Sequence, residues 1–166
     1  VYKKLFAATI KPDFMYTKLM AAYPIDGEEL DSYNVGEAEV TIFKLPDTIQ
    51  YLYQLSPPEF RLSEEHYELV DLSRRIMAEH QPGKEEFTDP ERMRQVFYNV
   101  GRDLLEELAN FRNVKLTDNK LAELTQILIR YTIGFGLIEL LLADEKIQDV
   151  TINSPMGHVP AFVVHS

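Results

Sequence analysis

Phosphoryl chemistry asks for a glycine-rich loop whose backbone amides face the phosphates, a lysine to neutralise charge and a hydroxyl to hold magnesium, in the order GxxxxGK[ST]. The chain's only Gly-Lys pair, Gly83-Lys84, follows Pro82 and has no hydroxyl after it. It falls between two helical patterns rather than after a strand, so it reads as a turn. Gly134-Phe135-Gly136 precedes a helical pattern; its amides are in reach of an anion or a nucleotide edge, or they simply shape a turn. Metal catalysis needs converging histidines and carboxylates. His66, His80, His158 and His165 include no pair at helical ligand spacing and no HExxH. His158 and His165 are in reach of each other across the last hairpin, but read as ordinary surface histidines. The pairs Glu64-Glu65, Glu85-Glu86 and Glu106-Glu107 are adjacent in sequence, and neighbours on a helix point about 100° apart, which makes them solvated faces rather than a carboxylate dyad. Nucleophilic cysteine is missing and no GxSxG elbow occurs. From residue types alone, the chain carries no visible catalytic constellation.

The elements that must carry these residues belong to an ordinary packed domain. The chain has 166 residues, 45% of them apolar and 27% charged, with nine Tyr and nine Phe, which is globular composition. At that length it can bury about two thirds of its unfolded surface, as one domain or as two small ones. Its 27 Asp and Glu against 17 Lys and Arg leave a formal charge of −10, a field that repels phosphate backbones and anionic lipid and argues against nucleic acid as a partner. Absence of Cys excludes disulfides and thiolate metal sites. The apolar runs are too short to span a bilayer.

Fold class follows from periodicity. Glu37 to Leu45 and the alternating Ile49, Tyr51, Tyr53 and Leu55 predict two strands joined across Pro46-Asp47. Lys3 to Asp31 has no clear period and receives no assignment. Pro57-Pro58 ends the second strand, and Ser63 caps a helix to about His80 with Leu62, His66, Leu69, Ser73, Ile76 and Met77 on one face. Asp89-Pro90-Glu91 opens the strongest helix. Met93, Val96, Phe97, Val100, Leu104, Leu108 and Phe111 form its apolar stripe, and Gly101, costing about 1 kcal/mol against Ala, predicts a close neighbouring helix. Thr117 opens a third helix through Leu121, Leu124, Ile127, Leu128 and Tyr131. Leu137 to Ala143 is apolar on nearly every side, the pattern of a buried short helix, and it ends at Asp144. Ile147 to Asn153 and Val159 to His165 read as strands around a Ser154-Pro155-Met156-Gly157 turn. The expected class is α+β, a helical block with small antiparallel strands. Pro82 to Glu86 is the most linker-like stretch, giving subdomains 1–81 and 87–166. A chain that starts at Val1 and stops on the apolar strand Phe162 to Val164 is expected to be a truncated one.

Tyr131 to Pro155, reading YTIGFGLIELLLADEKIQDVTINSP, resembles the segment that type II and type IV secretion-superfamily ATPases carry ahead of their motor core. There a Gly-x-Gly turn, a leucine-rich helix, an acidic residue and an Ile-x-Asp-Val/Ile strand ending in Asn follow in order. The matching residues are Gly134, Gly136, Leu137, Ile138, Leu140 to Leu142, Asp144, Ile147, Asp149, Val150 and Asn153; Leu140 stands where the family often has Pro. Upstream, YQLSPPEFRLSEEHYELV resembles the archaeal branch, the archaellum and archaeal pilus or secretion ATPases. The resemblance implies the non-catalytic amino-terminal domain of a hexameric assembly ATPase, ending at the start of a PAS-like sheet. It implies a RecA-like ATPase domain of the same protein, neighbouring subunits of a homohexamer and a membrane platform protein as partners. ATP and magnesium belong to the longer protein, at a cytoplasmic site on the inner face of the cell membrane. By similarity Arg130, Tyr131, Gly134 and Gly136 lie nearest the nucleotide cleft, with Arg130 available to a phosphate or ribose. Two other classes stay open: a free-standing acidic protein-interaction domain, and a small-molecule sensor on a PAS-like sheet.

Overall fold

A computed structural model describes residues 26–49, 51–79, 89–152 and 161–166. The fold is α+β, and it divides into two compact units, Val1–Arg61 with Leu137–Ser166, and Leu62–Gly136. The expected boundary at 82–86 lies outside the described residues, within the span of the second unit. The helix before it and the two after it share one core, so the division falls instead at the ends of the helical block. The expected turn at Ser154 to Gly157, together with Asn153, His80, His158 and Lys84, lies outside the described residues.

The first unit is built on an antiparallel meander of β1 (Glu28–Val35), β2 (Ala38–Lys44) and β3 (Tyr51–Ser56), in that spatial order. The β2–β3 pair is the predicted hairpin, and Asp47 takes φ 58° in its connection, a left-handed conformation that Asp tolerates. The strand β1 carries too few apolar residues to show a period, which is why it escaped the reading of the sequence. It is recruited by a two-residue turn in which Gly36 supplies φ 58°, and it pairs along β2 with Tyr33 opposite Val40 and Asp31 opposite Ile42. As the central strand, β2 is buried on both faces, with Ala38 and Val40 on one and Thr41 and Phe43 on the other. After the helical block, α4 (Ile138–Ala143) leads into β4 (Ile147–Thr151), which pairs antiparallel with β5 (Phe162–His165). Burial of α4 on every side does not hold: only Leu140 is buried, and Leu142 is 69% exposed.

The second unit is three helices, α1 (Glu64–Glu79), α2 (Pro90–Phe111) and α3 (Asp118–Thr132), each touching the other two. Their starts are the predicted ones. The Ser63 hydroxyl accepts from the His66 amide, the Asp89 carboxylate from the Glu91 and Arg92 amides, and the Thr117 hydroxyl from the Lys120 amide, satisfying donors that a helix N-terminus leaves unpaired. The end of α2 is closed by Asn113 at φ 57°, with the Val114 amide returning to the Ala109 carbonyl at 2.8 Å.

The face of α2 that meets its neighbours differs from the predicted stripe by one residue. Phe97, Gly101, Leu105 and Ala109, spaced four apart, are the buried ridge, while Val96, Val100 and Phe111 are exposed. Gly101 decides the register. A Cβ there would stand 3.1 Å from Leu128 Cδ2 and 3.4 Å from Ile129 Cδ1, so the absence of a side chain lets α3 approach closely, as the glycine predicted. On α1, Val70 and Asp71 join the expected Leu69, Ser73 and Met77 in the buried set. Asp71 is held there by Arg74 and Arg75 one turn on.

Leu105→Ala should therefore destabilise the helical unit by about 2–5 kcal/mol, and Val100→Ala by less than about 1 kcal/mol. Urea unfolding followed by circular dichroism distinguishes this ranking from the reverse, which the predicted stripe would require.

Candidate functional site

The residues expected near a nucleotide sit at the C-terminal end of α3. Gly136 adopts φ 61°, and a Cβ on it would lie 3.2 Å from the Tyr131 ring. Tyr131 and Gly136 are thus packed together, in a backbone conformation that favours glycine. The Gly134 amide donates to the Ile129 carbonyl at 3.2 Å and the Gly136 amide to the Arg130 carbonyl at 3.0 Å. Both amides that could have met an anion close the helix end instead. Arg130 and Tyr131, in the last turn of α3, are half-buried.

A denser polar arrangement, not foreseen from the sequence, lies within the first unit. Cross-strand partners point to the same side of a sheet. By the register, Asp31, Tyr33, Val40, Ile42, Tyr53 and Leu55 therefore share one face of the meander. Tyr33 and Tyr53 reach from the outer strands of that face to a common acceptor: each donates its hydroxyl to Asp144 Oδ2 at 2.7 Å. Asp144, 4% exposed, takes a third hydrogen bond on Oδ1 from the Lys146 amide at 2.9 Å. His165 on β5 lies with Nε2 2.9 Å from the Tyr33 oxygen. Because that oxygen gives its proton to Asp144, Nε2 must be the donor toward it. The His165 ring also lies beside both tyrosines, with centroids 5.9 and 6.3 Å away. At the rim, Lys146 Nζ stands 3.7 Å over the Tyr33 ring and 3.0 Å from Asp31 Oδ2.

The electrostatics follow from that geometry. Burial alone would raise the Asp144 carboxyl. The two tyrosine hydroxyls, the Lys146 amide and the nearby His165 outweigh it and hold the carboxyl below its ordinary value. Burial and then the Asp144 hydrogen bond and charge push both tyrosine hydroxyls up. Asp31 is lowered, first by its hydrogen bond from Lys146. A charged, fully solvated-by-protein carboxylate and two hydroxyls kept protonated make poor nucleophiles and poor bases. The arrangement is suited to fastening β1 and β3 to the segment from Asp144 to His165.

His165, expected at the surface, is half-buried and engaged. Tyr53 and Asp144 were each visible, one in an alternating strand and the other closing a leucine-rich helix. Tyr33 lay between the unassigned stretch, which ends at Asp31, and the first predicted strand. Nothing in local spacing joins residues 111 positions apart. Among the described residues no group of three or more His, Asp or Glu is arranged to hold a metal ion, and no helix is long and apolar enough to cross a membrane. Compared with known proteins, the chain matches no family model and no curated protein.

The sign of the acid dependence is fixed by the direction of the Asp144 shift. A carboxyl whose folded value is depressed contributes stability that is present above its unfolded value, near 3.8, and that is lost as pH falls through the lower folded value. Asp144→Asn should cost about 1–3 kcal/mol at pH 7, and the gap to the parent chain should narrow as pH drops below about 4. Urea titrations from pH 2.5 to 7 measure this; a gap independent of pH would mean that the carboxylate charge contributes nothing.

Proposed function

We infer that the chain is the non-catalytic amino-terminal domain of a hexameric ATPase that assembles a secretion system, pilus or archaellum. The observation that carries this reading is the order of elements at the end of the chain: α3, the Gly134-x-Gly136 turn packed on Tyr131, the short helix α4, Asp144, and the strand β4. That is the order in which the secretion ATPases arrange the corresponding motif. In such a role the chain performs no chemistry. It supplies a rigid helical block and a small sheet, through which closure around a nucleotide held by a RecA-like domain of the same protein is passed to neighbouring subunits and to a membrane platform protein. ATP and magnesium then belong to that other domain, and the protein works at the cytoplasmic face of the cell membrane. Arg130 is the one residue of the expected cofactor set whose side chain is a phosphate ligand by type; Gly134 and Gly136 act by shaping the turn that presents it.

A second reading, an acidic domain that binds a partner protein without any ATPase, is favoured by a separate observation, the exposed apolar ridge of α2.

The natural reading frame around the chain separates the two. The first reading expects a strand, a GxxxxGK[ST] loop and a helix beyond Ser166, magnesium-dependent ATP turnover by the encoded protein, and none by residues 1–166 alone. Arg130→Ala in that longer protein should raise KM for ATP severalfold, and Arg130→Lys, which keeps the charge, by less. A frame without a nucleotide-binding loop, or turnover by the purified 166-residue chain, overturns the first reading.

A further inference from the structure

The helix α2 presents two neighbouring apolar ridges, and among the described residues α1 and α3 bury only one of them. Phe97, Gly101, Leu105 and Ala109 face α1 and α3. Val96, Val100 and Leu104, again four apart, face outward, with Val100 53% exposed. Together with Ile76 of α1 and the buried Met77 and Phe97 they line a groove of about 360 Å³. No residue of α3 lines it. The groove therefore runs along the outer seam between α1 and α2, in the place where a fourth helix would lie across a three-helix bundle, its own ridge set between theirs. One wall is acidic: Asp103 and Glu107, one turn apart on α2, border the apolar surface. Among the described residues, neither is ion-paired, whereas Arg102 is taken by Asp118 and Arg112 by Glu68.

We propose that this groove docks a cationic amphipathic helix of a partner protein. Shape, apolarity and charge each select one feature of that occupant. The seam between two helices takes a helix rather than a strand. The Val96, Val100 and Leu104 ridge takes apolar anchors spaced at i, i+4 and i+7. Asp103 and Glu107, on a chain of net charge −10, take Lys or Arg along one edge of that helix and repel an acidic one. Met77 in the lining, unbranched and flexible, lets the groove adapt to side chains of differing shape. The proposal rests on the helical unit alone and holds for either reading of the protein's role.

The test uses the full chain and three fluorescent 18-residue peptides: a helical one with leucines at the anchor spacing flanked by lysines, its scramble of identical composition, and the same helix flanked by glutamates. The lysine-flanked helix is expected to bind, the scramble and the glutamate-flanked helix to bind at least about tenfold more weakly. Val100→Glu, at a position exposed enough to leave folding intact, should weaken binding at least about tenfold. Asp103→Asn with Glu107→Gln should weaken it severalfold at low ionic strength, a difference that fades near 0.5 M salt as exposed charges are screened. Circular dichroism melts of both variants establish that they remain folded. Equal binding of helix and scramble would reduce the effect to net charge and overturn the proposal. So would indifference to Val100→Glu, failure of all three peptides to bind, or concentration-dependent self-association abolished by Val100→Glu, which would make a second copy the occupant.

Discussion

A carboxylate withdrawn from water has to be surrounded by donors, and in the unit formed by the meander and the β4–β5 pair that requirement falls on Asp144. Its side chain is a short acceptor placed directly after a six-residue helix. It cannot reach far, so its donors must come to it. Two tyrosines do so from opposite edges of the meander, and they can because β2 lies between them and fixes their spacing. The hydroxyls meet at one oxygen, the Lys146 amide takes the other, and His165 closes behind Tyr33. Each participant sits on a different piece of chain, so the register of β1 on β2, of β2 on β3 and of β4 on β5 must all be correct at once. A slip of one residue in any of them would turn a tyrosine or the histidine to the opposite face and leave a buried charge unsatisfied.

The helical unit depends on a different and simpler constraint, the missing side chain at Gly101. Close approach of α3 there determines which ridge of α2 is covered, and by elimination which ridge is not. Buried hydroxyls within this unit are satisfied locally: Ser73 and Thr125 each return to the carbonyl four residues earlier. The core needs no long-range polar network. The two units thus solve burial in contrasting ways, one by a converging polar cluster and the other by aliphatic packing around a glycine.

That contrast explains what the sequence disclosed. Helix starts are local chemistry, and Ser63, Asp89-Pro90 and Thr117 announce them within three or four residues. The β2–β3 hairpin was legible because Tyr51, Tyr53 and Leu55 alternate. The covered face of α2 was not, because Val96, Val100 and Leu104 are as apolar as Phe97 and Leu105, and a 3.6-residue period does not choose between adjacent ridges. The discriminating signal was present in Gly101 and Ala109, small residues eight apart that mark where another backbone can come close. The strand β1 stayed hidden because an edge strand facing water on one side can be built of Glu, Asp, Ser and Asn. With it went Tyr33, and with Tyr33 the polar cluster.

An acidic charge of −10 and an uncovered apolar ridge are easier to reconcile with partnership than with solitary existence. Net charge keeps an exposed ridge from driving self-association, since two copies meeting along Val96, Val100 and Leu104 would also bring their Asp103 and Glu107 walls together. The same walls attract a basic surface. A polar residue at Val100, 53% exposed, would have served solubility at little cost to the helical core. The apolar ridge is therefore better explained by what binds to it than by what lies beneath it.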